Sequence, residues 1–502
     1  MPEASDMRLI YTSDLHSYLF PTMYHIPGVS NMGHYRIMAS YEKDEDTVVI
    51  DGGDNLQGSA LSKYVMDRNV FSPFPQAEAM KKAGVDYLVP GNHDFNYGYS
   101  LFSSFYKESG GKILAANLID RSGELEILPH VVRTDSSGLR VGFTGLITDY
   151  VNVWEKKENL ENFEITDSFS AARKELAWLK ENADVSVLIY HGGYECDLET
   201  GETLQTTNEN IACRICRELD YDLVLTAHQH RKVDLMEIAG TKTLQCPSFA
   251  FLYGEIFIDR NGITGGLKSP KSQVSPMERE KKDLGEEVEV WLDGKLGEID
   301  RAIPAPSNLE SMLKGNHIAD FFNFLQLQAT GADISCSALN NNLYSFSRNV
   351  TVREILASYQ YPNSICTVEV GEKEIRQALE RCAEFFNLTE EGPFISKTFL
   401  EPKAELYNYD YYYGLSYSFD LSRPLGHRVT RLLWKGQEIG EKKLTLAMSN
   451  YRVTGAGGYP MFVGKNVKNF ELDLQDLAIK YFKDHEGTII SWPYADFTTT
   501  GY

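Results

Sequence analysis

At 502 residues, with 42% hydrophobic and 12% aromatic side chains, the chain exceeds one ordinary core and carries enough apolar material for two domains. A formal charge of −22 argues against a surface that follows a phosphate backbone, so no polymeric nucleic acid partner is expected. No apolar run reaches the length of a membrane span and the start, Met1-Pro2-Glu3-Ala4-Ser5-Asp6, is acidic without an apolar signal region, so no membrane partner and a cytoplasmic location are expected.

In chain order, residues 8–14 alternate into a first strand that ends on Asp14, and Asp14-Leu15-His16 puts a carboxylate and an imidazole on one side of an extended segment. A second strand, 47–50, runs into Asp51-Gly52-Gly53-Asp54. A helix over 74–83 leads to a short apolar run, 87–89, which Pro90 and Gly91 stop; Asn92, His93 and Asp94 follow at once. Further strands are predicted over 112–116, 141–145, 185–190 and 223–226, with a helix over 168–182. The strand at 185–190 ends on His191-Gly192-Gly193, and the strand at 223–226 on Ala227-His228-Gln229-His230. Strands alternating with helices predict an α/β fold with layers on both faces of the sheet.

Five strand ends therefore deliver metal-ligand or acid–base residue types, and five of the chain's 11 histidines sit there. In open α/β sheets the carboxyl ends of strands are where ligands bind. Carboxylate, imidazole and amide donors together suit Mn²⁺, Zn²⁺, Fe²⁺, Co²⁺ or Ni²⁺. Asp-x-His and His-x-His with a further Asp between them predict a two-metal centre, one carboxylate bridging ions roughly 3.5–4 Å apart. Such a pair binds a phosphoryl oxygen and prepares a hydroxide for in-line attack, while a histidine that is not a ligand protonates the leaving oxygen.

The seven cysteines, at 196, 213, 216, 246, 336, 366 and 382, form no evident disulfide framework. Cys213-x-x-Cys216 falls in a predicted amphipathic helix over 209–219 and reads as helix-face packing. The composition shifts at 265–308: a Lys-Ser-Pro-Lys-Ser stretch, a charged helical run and Pro304-Ala305-Pro306. The predicted division is a metal-binding domain over 1–265, a linker helix over 266–308, and a smaller α/β or α+β domain over 309–502. The latter has strands over 364–370, 415–421, 429–433 and 445–449. The tyrosine-rich run 407–413 reads as packing around one of these strands.

The five motifs, Asp-x-His, Gly-Asp, Gly-Asn-His-Asp, His and Ala-His-x-His, resemble in kind and order those of the calcineurin-like metallophosphoesterases. The resemblance implies a two-sheet α/β sandwich in which Asp14, His16 and His230 hold one ion, Asp54 bridges, and Asn92, His191 and His228 hold the second. His93 is then the catalytic histidine that binds no metal, with Asn96 orienting it. Asp51 is near enough to Asp54 to compete as the bridging ligand, but its first place in Asp-Gly-Gly-Asp reads as a residue standing behind the ligands, and Asp94 reads as a hydrogen-bonding residue of the turn. Ala227 stands where the family usually has Gly, which removes no ligand.

The second domain resembles that of the 5′-nucleotidase and cyclic-phosphodiesterase branch, in which two aromatic rings sandwich a nucleobase. The matching stretches here are Tyr361-Pro362-Asn363 and Asn450-Tyr451-Arg452 continuing to Tyr459-Pro460, which implies stacking by Tyr361 and Tyr459. Two departures from the 5′-nucleotidases point within the branch. The region 335–342 lacks their glycines and arginine, and Asn96 stands where they carry an aspartate three residues after the catalytic histidine. Asp-Leu-His-Ser at 14–17, 92–98, 361–363 and 450–452 resemble instead the 2′,3′-cyclic-nucleotide 2′-phosphodiesterase/3′-nucleotidases. The implied substrate is a small nucleotide and the implied reaction is opening of the cyclic phosphate followed by hydrolysis of the 3′-phosphate. The alternatives are a 5′-nucleotidase or nucleotide-sugar hydrolase and, more remotely, a catalytically silent nucleotide-binding protein.

Overall fold

A computed structural model describes residues 7–68, 74–205, 207–359, 364–401, 404–489 and 492–502. They form two compact units, Met1–Val288 and Glu289–Tyr502.

The first unit holds two facing sheets. Strands Met7–Thr12, Thr47–Asp51, Tyr87–Leu88, Lys112–Leu114 and Ile127–Leu128 run parallel in that spatial order, and the hairpin Tyr253–Asp259/Gly262–Lys268 adds antiparallel strands beside Met7–Thr12. The second sheet is parallel through Thr241–Gln245, Leu223–Thr226, Val185–His191 and Arg140–Ile147, with antiparallel strands Val233–Ile238 and His130–Thr134 at its edges.

Leu9, Tyr11, Val48, Ile50 and Val89 from the first sheet meet Val141, Phe143, Val187, Ile189, Leu223 and Leu225 from the second in one fully buried cluster. Burying each such aliphatic or aromatic side chain contributes about 1.5–3 kcal/mol. The intervening residues Ile10, Val49, Leu188 and Val224 are buried as well, so these strands read as continuous apolar runs rather than as alternation. On the outer side, the helix Ser168–Asn182 covers Leu188 and Val224 with Phe169, Leu176 and Leu179, and begins on Asp167, whose side chain accepts from Ser170 N. The sandwich thus aligns the carboxyl ends of Met7–Thr12, Thr47–Asp51 and Tyr87–Leu88 with those of Val185–His191 and Leu223–Thr226.

The connection between the units differs from the expected linker. The strand Gly262–Lys268 belongs to the first sheet, the helical part is Pro276–Glu280 and Lys282–Leu292, and Lys295–Ile299 is already a strand of the second unit. The compositional shift at Gly265 falls inside a strand because Gly262, Gly265 and Gly266 take positive φ there, and a Cβ at Gly265 would lie 2.2 Å from the Glu255 carbonyl oxygen. A second difference concerns cysteine: Cys196 and Cys213 form a disulfide, 17 residues apart. Cys213 lies at the start of the helix Ala212–Glu218, and only Cys216 of that pair is free and buried.

The second unit centres on a mixed five-stranded sheet ordered Tyr411–Tyr413, Ile334–Ser337, Leu444–Ser449, Ser364–Val370 and Val467–Asp473. A three-stranded sheet, Val429–Trp434, Leu415–Asp420 and Asp496–Thr500, stands apart from it. Within the tyrosine-rich run, Tyr409, Tyr411 and Tyr412 are buried, in agreement with a packing role.

Candidate metal centre

The loops after five strands bring seven residues together. One group comprises Asp14, His16, Asp54 and His230; the other shares Asp54 with His191 and His228, the candidate donor atoms of each group lying within 4.8 Å of one another. Asn92 joins the second group, its Oδ1 2.9 Å from His228 Nδ1 and 3.1 Å from His191 Nε2.

The ring nitrogens are sorted by their other partners. His16 Nδ1 donates to the Gln57 carbonyl and His191 Nδ1 to the Gly52 carbonyl, both at 2.6 Å. Each Nε2 is thereby left as a lone-pair donor facing the cluster. His16 Nε2 lies 3.0 Å from His230 Nε2, and His191 Nε2 lies 3.4 Å from Asp54 Oδ2. Two imidazole nitrogens that close need a proton or a cation between them. Asp14 Oδ2 and Asp54 Oδ2 are buried with no hydrogen-bond partner, which costs free energy unless a cation meets them. These residues fit two divalent ions, with Asp54 common to both.

The backbone is bent to present them. Among the described residues, Asp14, His16, Asp54, His228 and His230 all have φ between 48° and 69°, a left-handed conformation that costs an ordinary side chain about 1–3 kcal/mol. Gly91 permits the close approach of the third strand end, since a Cβ there would come within 2.2 Å of Asp54 Oδ1. The Asp94 carboxylate clamps the turn, accepting from the backbone N–H groups of Gly91, Asp54, Asn55 and Leu56 and from the Tyr106 hydroxyl at 2.7–3.1 Å. Asp51 accepts from Thr12, Gly53 and Asn55 and lies outside both ligand groups.

Electrostatics follow from burial. Burial, with a smaller contribution from Asp54, pushes Asp14 up to about 7. Burial also opposes ionisation of Asp54, but His191 and His93 hold it well below the usual carboxylate range. His191 is raised to about 9: burial opposes its charge, and Asp54 outweighs burial. His16 is lowered to about 4 by burial. Protons and cations therefore compete for the same atoms.

A testable consequence is ligand-linked stability. Adding Mn²⁺ or Zn²⁺ at 100 times its dissociation constant should stabilise the protein by about 2.7 kcal/mol, which is worth roughly 5–10 °C in the melting of a unit this size. A melting temperature indifferent to every divalent ion would contradict this ligand set.

His93 stands beside the cluster rather than in it. Its backbone N–H donates to Asp54 Oδ1 at 2.7 Å, and its Nδ1 lies 2.8 Å from both Asn96 Oδ1 and Gln57 Oε1. The implied aromatic pair is not brought out in the same way. Tyr361 lies outside the described residues. Tyr459 is fully buried: its hydroxyl donates to the Asn408 carbonyl at 2.9 Å, and the Arg452 guanidinium lies 4.7 Å from the ring centre. The buried Arg452–Asp410 ion pair at 2.8 Å draws this segment inward, so Tyr459 packs as core instead of offering a face to a base.

Four neighbours had no local signal in the sequence. Gln57 touches both His16 and His93, Glu209 Oε1 lies 3.3 Å from His228 Nε2, Trp154 stacks on the His228 ring, and Glu155 contacts Asn96.

Residues 7–232 match the calcineurin-like phosphoesterase family and residues 296–464 the 5′-nucleotidase C-terminal domain. The chain belongs to the calcineurin-like phosphoesterases that carry a 5′-nucleotidase C-terminal domain, hydrolases of phosphate esters that use divalent metals. It is 21% identical to the trifunctional nucleotide phosphoesterase protein YfkN of Bacillus subtilis, over 90% of this chain and 36% of that protein, so it spans about a third of YfkN. It is also 21% identical to the 2′,3′-cyclic-nucleotide 2′-phosphodiesterase/3′-nucleotidase of Haemophilus influenzae, over 90% of this chain and 80% of that one. A solved Staphylococcus aureus structure, assigned as a 5′-nucleotidase and in complex with α-ketoglutarate, superposes with a TM-score of 0.90 at 26% identity, covering 99% of this chain and all of that one.

Proposed function

We propose that this protein is a metal-dependent nucleotide phosphohydrolase that opens nucleoside 2′,3′-cyclic phosphates and hydrolyses the resulting 3′-nucleotides. The observation that carries the reading is the pair of ligand groups sharing Asp54, with His93 alongside them. Bound divalent ions would supply Lewis-acid charge to the phosphoryl group and lower the pKa of an attacking water. Asp14, His16 and His230 would hold one ion, Asn92, His191 and His228 the other, and Asp54 both. Asn96 and Gln57 accept from His93 Nδ1–H, so the imidazolium form of His93 would carry its second proton on Nε2 and pass that one to the leaving oxygen, returning to the Nδ1–H tautomer. Tyr361 remains our proposed base-stacking ring; stacking contributes about 1–3 kcal/mol per base.

The cyclic preference is supported by Asn96 and by the names of relatives that align over most of both lengths. A second reading, 5′-nucleotidase activity, is supported by the likeness to the Staphylococcus aureus structure. Phosphate release from 2′,3′-cyclic AMP, 3′-AMP and 5′-AMP with Mn²⁺ separates the two. We expect the first two to be turned over faster; a preference for 5′-AMP would favour the second reading.

A further inference from the structure

The aspartate that would ordinarily sit three residues after the catalytic histidine is Asn96 here, yet the charge is not absent; it stands one residue further out. Asn96 Nδ2 donates to Glu155 Oε2 at 2.5 Å, while Asn96 Oδ1 faces His93 Nδ1 at 2.8 Å. Glu155 follows the helix Val151–Trp154 and lies 59 residues from Asn96 in the chain. Its other oxygen, Oε1, accepts from Lys156 N at 2.7 Å and from Asn159 Nδ2 at 2.8 Å. Asn159 Nδ2 also reaches the Asn96 carbonyl at 3.1 Å, which ties the two segments together.

We propose that Glu155 is a positioning residue that fixes His93 through the Asn96 amide. An ionised carboxylate only accepts hydrogen bonds, so the Asn96 edge facing it must be the NH₂ group. The amide has one orientation left, with its oxygen towards His93, and that oxygen demands a proton on Nδ1. The carboxylate thus sets the tautomer of an imidazole it does not touch: Nδ1 keeps its proton, and Nε2 is the nitrogen that takes up and gives up the proton used in the reaction. Gln57 Oε1, at 2.8 Å, accepts from the same Nδ1. Among the described residues no carboxylate fixes the Gln57 amide as Glu155 fixes that of Asn96. The catalytic part of this inference rests on the reading of His93 as the acid in phosphoester hydrolysis.

The relay makes a particular substitution informative. In Glu155→Gln the single amide oxygen is best placed on the side with two donors, Lys156 N and Asn159 Nδ2. The new NH₂ then faces Asn96, which must turn over, and Asn96 presents N–H to His93 Nδ1 in place of an acceptor. Asn96→Asp in the same chain restores the match, because an aspartate accepts both from the new amide at position 155 and from His93 Nδ1–H.

The test uses the Zn²⁺-loaded full chain and its E155Q and N96D/E155Q variants. In E155Q, kcat for 2′,3′-cyclic AMP should fall roughly 10²-fold with KM little changed, and the double variant should recover most of it. The ¹⁵N resonance of His93 Nδ1 should lie in the protonated range in the wild type and the double variant and leave it in E155Q. A double variant as impaired as E155Q, or a Nδ1 signal that ignores the change at position 155, would overturn the relay. A wild-type chain that hydrolyses no nucleotide would count instead against the proposed function, and the resonance would still decide the relay.

Discussion

Replacing Asp54 by asparagine should strip the centre of its ions and lower turnover by about 10³–10⁴-fold, the equivalent of removing several kcal/mol of transition-state stabilisation. The substitution is chosen to spare the fold. Asp54 Oδ1 accepts the His93 backbone N–H at 2.7 Å, and an asparagine oxygen can keep that bond. What is lost is Oδ2, a buried oxygen without a hydrogen bond that lies 4.0 Å from His16 Nε2 in one ligand group and 3.4 Å from His191 Nε2 in the other. A neutral amide cannot bridge two cations, and its NH₂ would point at His191 Nε2, 3.4 Å from the present oxygen. Metal analysis of the purified variant should find fewer than two ions per chain. Full occupancy with wild-type turnover would show that Asp54 is not the bridge.

His93→Ala should separate binding from chemistry. The His93 ring belongs to neither ligand group, and its Nδ1 hydrogen-bonds to Gln57 and Asn96. Both ions should therefore remain while turnover falls by roughly 10²–10⁴-fold, the usual contribution of a positioned proton donor. Loss of an ion in this variant would make His93 a ligand and would require the site to be redrawn.

The contrast between these residues bears on what can be read from the chain. Asp14, Asp54, Asn92, His191 and His228 are legible because each follows an apolar run that polar or glycine residues end, and a buried parallel strand has that signature. The helix 168–182 and the strand 364–370 are legible as well, their boundaries agreeing with Ser168–Asn182, which Asp167 caps, and with Ser364–Val370, an antiparallel strand between two neighbours. What the sequence does not display is contact across long separations. Glu155 reaches Asn96 over 59 residues and Cys196 reaches Cys213 over 17, and neither pair has a local pattern. Left-handed backbone at five ligands is equally hidden, because it falls on Asp and His rather than on glycine, where φ > 0 is ordinarily sought. The end of the strand Gly262–Lys268 reads from sequence as the start of a linker, since the composition shifts at 265 towards the Lys-Ser-Pro-Lys-Ser stretch and the charged run beyond it. Tyr459 is placed at a base by resemblance alone, and the Arg452–Asp410 pair that buries its segment cannot be inferred from spacing.

The central claim is a pair of ions held by one carboxylate, and anomalous scattering from crystals grown with Mn²⁺ or Zn²⁺ tests it most directly. The account predicts two peaks roughly 3.5–4 Å apart, one among Asp14, His16 and His230, the other among Asn92, His191 and His228, with Asp54 touching both. A single fully occupied ion, or two ions too far apart for Asp54 to reach, would contradict it.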